Sequence, residues 1–364
     1  MTFDREQLSG LRARIPAFLA RLSRRKKIYY VTGKAEWSFH WDAHYITAGL
    51  RDRLGLPAVA TTDPWKLRGQ IVHFGDRYVY LNRPSSDLHA SNRIFLTWFH
   101  GDPAEPEFRD LFDSLAARAR DIQKIVVPCR ITREALTRAG IPGEQIELIP
   151  LGVDLSLFAP PTAEEREVVR RDIGVPGNAL CIGSFQKDGA GWGDGDEPKL
   201  IKGPDVFLEA VSALWRQHKN MFVLLVGPAR GYVVKGLTRI GVPFLHRRLD
   251  DYRDIARYYR ALDLYLISSR CEGGPKALLE SWATGVPVVS TRVGMPADLI
   301  RHEANGMLAE PEDAGALARH ARAMIEDSAL RSRCSRQALA DVRRYDWPMI
   351  AESYYDRLYR ANLT

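Results

Sequence analysis

Short apolar, β-branched runs recur along the chain and alternate with longer segments whose apolar positions fall at helical spacing. KIYYVT (27–32), IVHF (71–74), IFLTWF (94–99), KIVVP (124–128) and IELIP (146–150) predict five strands. ALCIGSF (179–185), FVLLVG (222–227), PFLHRR (243–248), LDLYLIS (262–268) and VPVVST (286–291) predict five more. Between them, helical spacing predicts helices over 105–120, 131–139, 203–217, 251–260 and 275–284. Alternation of this kind implies an α/β chain with doubly wound parallel sheets covered by helices on both faces. The two series are separated by LGVDLSLFAPPTAEE (151–165), where Pro160 and Pro161 break both periods, as a link between domains would. The expected organisation is a first domain over 1–152, a second over 153–342 and a final helix over 343–364. That helix carries Trp347, Ile350, Tyr354, Tyr355, Leu358 and Tyr359 on one stripe, which needs a covering surface; docking back on the first domain would provide it.

Composition narrows the class. A length of 364 residues suits two domains, and 45% apolar with 27% charged residues is ordinary for a soluble globular protein. No apolar run approaches the roughly 20 residues of a membrane span. The opening MTFDREQLSG is too polar for a secretory signal. Cys129, Cys181, Cys271 and Cys334 are widely spaced and fit no metal motif, so reduced thiols in a cytoplasmic protein are expected. The net charge of +7 is concentrated at the start, where Arg5, Arg12, Arg14, Arg21, Arg24, Arg25, Lys26 and Lys27 face only Asp4 and Glu6. With Leu11, Ile15, Phe18, Leu19 and Leu22 this segment reads as an amphipathic helix. It either packs with a solvated basic face or lies peripherally on an anionic membrane surface. Basic residues without interleaved aromatics argue against nucleic acid.

In doubly wound sheets ligands bind beyond the carboxyl ends of the strands, so the segments after each predicted strand carry the chemistry. CEGGPKALLE (271–280) follows LDLYLIS. Gly273 and Gly274 permit a tight turn and close approach of a ligand, and Pro275 suits the first turn of a helix. The amides of Lys276, Ala277 and Leu278 would then form an anion site. Glu280, about a turn inside the helix, could reach a sugar diol, and Glu272 in the turn could meet a second polar group; a solvated helix cap is the plainer reading of the same spacing.

The run from Glu272 to Glu280, continued by SWATGVPVV, resembles the signature of glycosyltransferase family 4. IPLGVDLSLFAP (149–160), KGPDVFLEAV (202–211) and NGMLAEPEDAGALA (305–318) resemble three further segments of that family, in the same order. The resemblance is strong over 146–325 and weak in the first domain. It implies the GT-B fold of two Rossmann-like domains with an interdomain cleft. The first domain would receive an acceptor hydroxyl, and the second would bind a UDP- or GDP-linked sugar as co-substrate, with no other cofactor and no metal. It implies retention of anomeric configuration and a role in cell-surface glycan, glycolipid or glycosylated-metabolite synthesis. Glu272 would contact the donor sugar, Glu280 the nucleotide ribose, and Gly273, Gly274 and Lys276 the sugar and phosphates.

The family also places an arginine and a lysine on the diphosphate. Lys202 matches the lysine, but Ser184 follows Gly183 where the arginine belongs, and the glycine-rich insertion GSFQKDGAGWGDGDEPKLIKG (183–203) intervenes. Lys187 or Lys199 is then the candidate second cation, since a diphosphate leaving group needs its charge stabilised. The insertion is expected to be a solvated loop able to cover the donor, and its Asp188, Asp194, Asp196 and Glu197 are expected to be solvated rather than metal-bound. Arg230 in GPARGYV is a candidate phosphate or acceptor contact, or else a surface arginine. In the first domain, TGKAEWSFHWDAHY (32–45) offers Gly33, Trp37, His40 and Trp41, with Phe39, for stacking on an acceptor or for core packing. His100 and Asp102 end IFLTWFHGD, and Asp102 is a candidate acceptor contact; the resemblance puts a histidine there on the donor sugar, with capping or core packing as the alternative for His100. His73 is a weaker strand-end candidate. A nucleotide-sugar 2-epimerase of the same fold and a non-catalytic sugar-nucleotide-binding subunit are the rival functions.

Overall fold

The computed structural model describes residues 26–33, 38–191 and 193–363; the expected basic helix within 1–25 and the candidate Trp37 lie outside them. Twelve strands form two sheets. The first contains β1 (Ile28–Val31), β2 (Ala58–Thr61), β3 (Ile71–Phe74), β4 (Arg93–Thr97), β5 (Lys124–Val127) and β6 (Ile146–Leu148), in the order β2-β1-β3-β4-β5-β6. The second contains β7 (Leu180–Phe185), β8 (Met221–Val226), β9 (Phe244–Arg247), β10 (Leu264–Ile267), β11 (Val288–Thr291) and β12 (Met307–Ala309), in the order β12-β11-β10-β7-β8-β9. Every neighbouring pair of the second sheet is parallel. The ten expected strands are all present. The sequence reading missed β2 and β12, edge strands of four and three residues too short to establish a period.

Helices cover both faces of the parallel sheets, so their central strands are buried on both sides. MFVLLV of β8 and LYLI of β10 are buried at every position. Helices Pro106–Arg118, Arg130–Arg138, Pro204–Gln217 and Lys276–Ala283 fall where helical spacing put them. The expected helix over 251–260 is instead a 3-10 turn, Tyr252–Asp254, followed by a short helix, Ile255–Tyr259. In the second sheet the strand order turns back at β7, which lies between β10 and β8. The crevice beyond the carboxyl ends of β7 and β10 is therefore the topological switch point, where a doubly wound sheet leaves room for a ligand.

By packing, the described chain divides into two compact units. One holds residues up to Thr97, Ala117–Ile125 and the tail from Ala351; the other holds Trp98–Ala116 and Val126–Ile350. Within the first unit, Tyr354 and Tyr359 of the final stripe are both buried. A π turn over Tyr355–Tyr359 brings these residues, five apart, to the same face. There the Tyr359 hydroxyl lies 2.7 Å from His73 Nδ1, and His73 Nε2 lies 2.8 Å from the Thr97 hydroxyl. His73 is fully buried, burial pushes its pKa down to about 3, and Tyr30 stacks on its ring at 4.7 Å. It is a core residue, so the weaker strand-end candidacy is withdrawn. Within the second unit the 151–165 segment is strapped down: Val153 N donates to Tyr345 O at 2.8 Å, and a Cβ on Gly152 would lie 2.5 Å from the Trp347 ring. A capping box between Thr162 and Glu165 then starts the next helix.

Candidate functional site

At the switch point the turn after β10 is bound to the segment 199–203. Gly203 has φ of +60°, and a Cβ there would lie 1.9 Å from the Ser268 carbonyl oxygen, so only glycine allows the approach. The Ser268 hydroxyl donates to Gly203 O at 2.8 Å, and the amides of Arg270 and Cys271 donate to Ile201 O. Arg270 forks onto Asp205 with two bonds of 2.7 Å and also reaches Glu312; these guanidinium bonds hold the Asp205 carboxyl below its usual range. The result is a fixed platform under Glu272. The Lys202 ammonium stands 2.5 Å from Glu272 Oε1, and the Ser269 hydroxyl donates to the same oxygen at 3.2 Å. The pair is not sealed: side-chain exposure is 20% for Lys202 and 9% for Glu272.

Gly273 and Gly274 are demanded by packing. A Cβ on Gly273 would lie 1.7 Å from Phe99 O, and one on Gly274 would meet Leu151 and Met295 within 2.8 Å. The Gly273 carbonyl accepts from Met295 N at 2.8 Å. His100 adjoins this turn, since the Gly101 amide bonds to Cys271, whose thiol is pushed up to about 11, chiefly by burial. The His100 ring is half-buried and edge-on to Phe108 at 5.6 Å. Asp102, the expected acceptor ligand, is instead held by Arg138 at 2.5 Å and accepts from the Ala104 amide at 2.9 Å.

The helix Lys276–Ala283 begins with Pro275 as its cap. Of the three amides expected to face an anion, that of Leu278 is closed on Pro275 O at 3.0 Å. Lys276 also places its ammonium 5.3 Å from the Trp347 ring centroid. Glu280 is more deeply set than a solvated cap: it is 3% exposed, and its two oxygens accept from the Tyr252 and Tyr259 hydroxyls. Burial, reinforced by the Glu280 charge, raises the Tyr259 pKa well above normal. Two phenols thus hold the carboxylate in the manner expected of a sugar diol. Tyr252 lies at the surface end of this arrangement, half-buried in the 3-10 turn.

The cationic side departs further from expectation. Gly183 lies within β7, where a Cβ would come 2.4 Å from Leu262; its place in the sequence reflects strand packing rather than a ligand. Arg230, a candidate phosphate ligand, has no exposed surface. Its guanidinium donates to Ser184 O at 2.5 Å and Ser184 Oγ at 3.1 Å and pairs with Asp188 at 2.9 Å, so it is structural. Nor is the insertion the expected solvated loop: it is a hairpin closed by the antiparallel bridge Gly189–Pro198 and by bonds from Ala190 N to Glu197 O and Lys199 N to Asp188 O, both 2.8 Å. The carbonyls of Asp194 and Gly195 accept from the amides of Gly231 and Tyr232, so the hairpin caps the helix Gly231–Ile240. Lys187 and Lys199 flank the hairpin. The Lys199 pKa is lowered by burial first and then by the Lys202 and Lys187 charges, while Glu272 and Glu107 oppose the shift. Burial lowers Lys187 as well. The charges of Lys202, Lys187 and Glu272 thus all bear on Lys199.

In the first unit Gly33 follows β1, and a Cβ there would lie 3.1 Å from the Asp76 carboxylate. His40 is exposed and Trp41 half-buried on the helix Ser38–Asp52, with ring centroids 6.1 Å apart. Sequence reading missed Ser269, Tyr252, Tyr259 and the Asp188–Arg230 pair; only the small polar residues directly after LDLYLI hinted at Ser269. Among the described residues no group of three or more His, Cys, Asp or Glu could hold a metal ion, and no helix is long and apolar enough to cross a membrane.

Residues 198–341 match the family model described as glycosyl transferases group 1. The D-inositol 3-phosphate glycosyltransferase of Xylanimonas cellulosilytica is 30% identical over 275 residues, covering 70% of this chain and 61% of that protein. The protein of the same name from Corynebacterium urealyticum is 26% identical, covering 72% of this chain and 61% of its own length. The chain thus spans about three fifths of these curated relatives. Among solved structures, Anabaena HepE in complex with UDP-glucose aligns with a TM-score of 0.72 at 20% identity, over 92% of this chain and 99% of that one. Sucrose-phosphate synthase from Thermosynechococcus elongatus aligns at 0.73 and 17%, over 93% and 100%.

Proposed function

Because residues 198–341 belong to the glycosyl transferases group 1 family and the two sheets are the Rossmann-like domains of the GT-B fold, we propose that the chain transfers a sugar, with retention, from a nucleotide-diphosphate donor to an acceptor hydroxyl. The observation that carries the reading is the partly open Lys202–Glu272 pair beyond β7 and β10. A carboxylate fixed by Ser269 and Lys202 is placed to accept from hydroxyls of the donor sugar. Lys202, with Lys187 or Lys199, offsets the charge that develops on the departing diphosphate, where a preorganised cation stabilises the transition state most. The amides of Lys276 and Ala277 at a helix start add to the same field. Glu280 takes the nucleotide ribose once Tyr252 yields one carboxylate oxygen, and His100 touches the donor sugar. Oxygens of the diphosphate take the acceptor proton, so no metal is needed. Residues 1–152, with Gly33, His40 and Trp41, serve the acceptor; 153–342 serve the donor; 343–364 complete the first domain. The work is cytoplasmic, with residues 1–27 as the segment able to meet an anionic membrane.

The donor complex of HepE supports UDP-sugars as the first donors to try, and the names of the relatives support a phosphorylated polyol as the first acceptor. The test is a panel of UDP- and GDP-sugars incubated with and without acceptors, with and without EDTA, the product anomer being read by NMR. Transfer that requires an acceptor, resists EDTA and disappears in Glu272→Gln is the expected result. A nucleotide sugar altered with no acceptor present would instead identify the 2-epimerase. An inverted product would remove retention.

A further inference from the structure

We infer that the cavity between the loop Arg301–Gly306 and the helix Ser328–Asp341 is a second anion site, suited to the phosphate monoester of a soluble compound or of a lipid headgroup. This site is independent of the donor reading above. The loop leads into the amino end of β12, and every neighbouring pair of the second sheet is parallel. The cavity therefore lies at the end of the sheet opposite the crevice beyond β7 and β10.

The cavity has a volume of about 660 Å³, within the range of small-molecule sites, and is lined by Arg301, His302, Glu303, Arg333, Arg336 and Gln337 among others. One wall is held rigid from behind. Asn305 has no exposed surface: its Oδ1 accepts from Arg301 N at 2.7 Å, and its Nδ2 donates to Leu299 O at 3.1 Å and to Asp341 Oδ2 at 2.8 Å. Glu303 has φ of +61°, a conformation that persists in a glutamate only where its surroundings enforce it. Its amide donates to Gly306 O at 2.9 Å, and its carbonyl accepts from Arg333 Nε at 3.3 Å. Leu308 N donates to His302 Nδ1 at 3.1 Å, so the neutral ring carries its hydrogen on Nε2.

The other wall supplies charge. Arg333, Arg336 and Gln337 are exposed on one face of the helix, three and four positions apart. The Arg336 side chain makes no hydrogen bond or ion pair among the described residues. Arg333 bonds to a carbonyl, which leaves its charge unmatched. Arg301 pairs with Asp341 at 2.8 Å, but Arg344 reaches the same carboxylate at 3.4 Å. Four guanidinium groups thus stand against the two carboxylates of Asp341 and Glu303, a surplus of two that matches the charge of a phosphate monoester near neutral pH. Guanidinium forks fit phosphate oxygens in pairs, where an ammonium offers only a point charge. No Phe, Tyr or Trp lines the cavity, so it offers no platform for stacking a nucleic-acid base.

The test titrates the full chain with glycerol 3-phosphate by calorimetry, against sodium chloride at equal ionic strength. Arg333→Gln/Arg336→Gln is expected to bind about tenfold more weakly. Both side chains are exposed, and circular dichroism checks that the variant folds. Should it fail to fold, Arg336→Gln alone, which removes no contact within the chain, is expected to lose about threefold. Lys202→Ala, at the crevice, is expected to change this affinity less than about twofold, and Glu303→Gln, which removes the opposing charge, to tighten it about threefold. In parallel, the same chains are co-sedimented with phosphatidylcholine vesicles with and without phosphatidic acid. Binding of glycerol 3-phosphate that the arginine variant loses supports the inference with a soluble ligand. Sedimentation that needs phosphatidic acid and is lost in the same variant supports it with a lipid headgroup. A wild-type chain that responds to neither probe overturns the inference, as does an arginine variant that binds like wild type. Loss in Lys202→Ala alone puts the phosphate in the crevice and overturns it as well.

Discussion

The turn after β10 and the hairpin after β7 each carry one acid paired with one base, yet the pairs serve opposite ends. Lys202–Glu272 keeps part of its surface open, with 20% and 9% side-chain exposure, and shares its carboxylate with Ser269. Asp188–Arg230 has no exposure and ties a hairpin to a strand and a helix. A pair that keeps one side open can exchange its partner for a ligand, since a ligand can reach the lysine. A sealed pair cannot, because each charge would be left in a poorly polarisable interior. Arginine occupies the sealed position, where its planar fork reaches several acceptors at once, and lysines occupy the open one as compact charges.

That contrast breaks most visibly in stability. Asp188→Asn, which strands the Arg230 charge, is expected to cost about 3–5 kcal/mol in urea denaturation. Glu272→Gln is expected to cost clearly less stability than that and yet to lower transfer about a hundredfold or more, measured as initial rate at saturating donor. If both variants cost the same stability, the division between scaffold and chemistry is wrong. Glu280→Gln should fall between them, at about 1.5–3 kcal/mol, because two phenols lose a charged acceptor.

The smallest effect concerns protons. Burial, then Lys202 and Lys187, hold the Lys199 pKa below the ordinary lysine value. The folded chain thus binds this proton more weakly than the unfolded chain, which opposes folding below the lowered pKa and is relieved as pH rises through it. A bound diphosphate acts in the reverse sense and raises that pKa. Binding should take up a fraction of a proton in the window just below the ordinary lysine value, and affinity should decline as pH rises there. Calorimetry in two buffers of different ionisation enthalpy measures the uptake, and Lys199→Met should abolish it.

The open half of this comparison was legible in the sequence, and the sealed half was not. Lys202, Glu272 and the glycines between strand and helix lie within short, ordered segments where spacing translates directly into position. The strands themselves were legible for the same reason: LYLI within LDLYLIS and FVLLV within FVLLVG are apolar at every step. The Asp188–Arg230 pair joins residues 42 apart through a hairpin whose sequence, rich in glycine and aspartate, carries the composition of a solvated loop. Its order comes from what it docks on, Ala229 and the start of a helix, which no local pattern reveals. The role of Arg230 was misread for the matching reason: strand-end position was visible, but burial was not. The phenols on Glu280 were hidden similarly, in a stretch, 251–260, whose helical period concealed a 3-10 turn.

The contact between His73 and Tyr359 spans 286 positions of sequence. A ribosome adding about 5–20 residues per second needs roughly 15 to 60 seconds to travel that distance. Throughout that interval the emerging β1 and β3 display Tyr30 and His73 without the tyrosines that finally cover them. The first sheet thus waits on a partner made long after its own strands, and the nascent chain presents a sticky, half-built face through that interval.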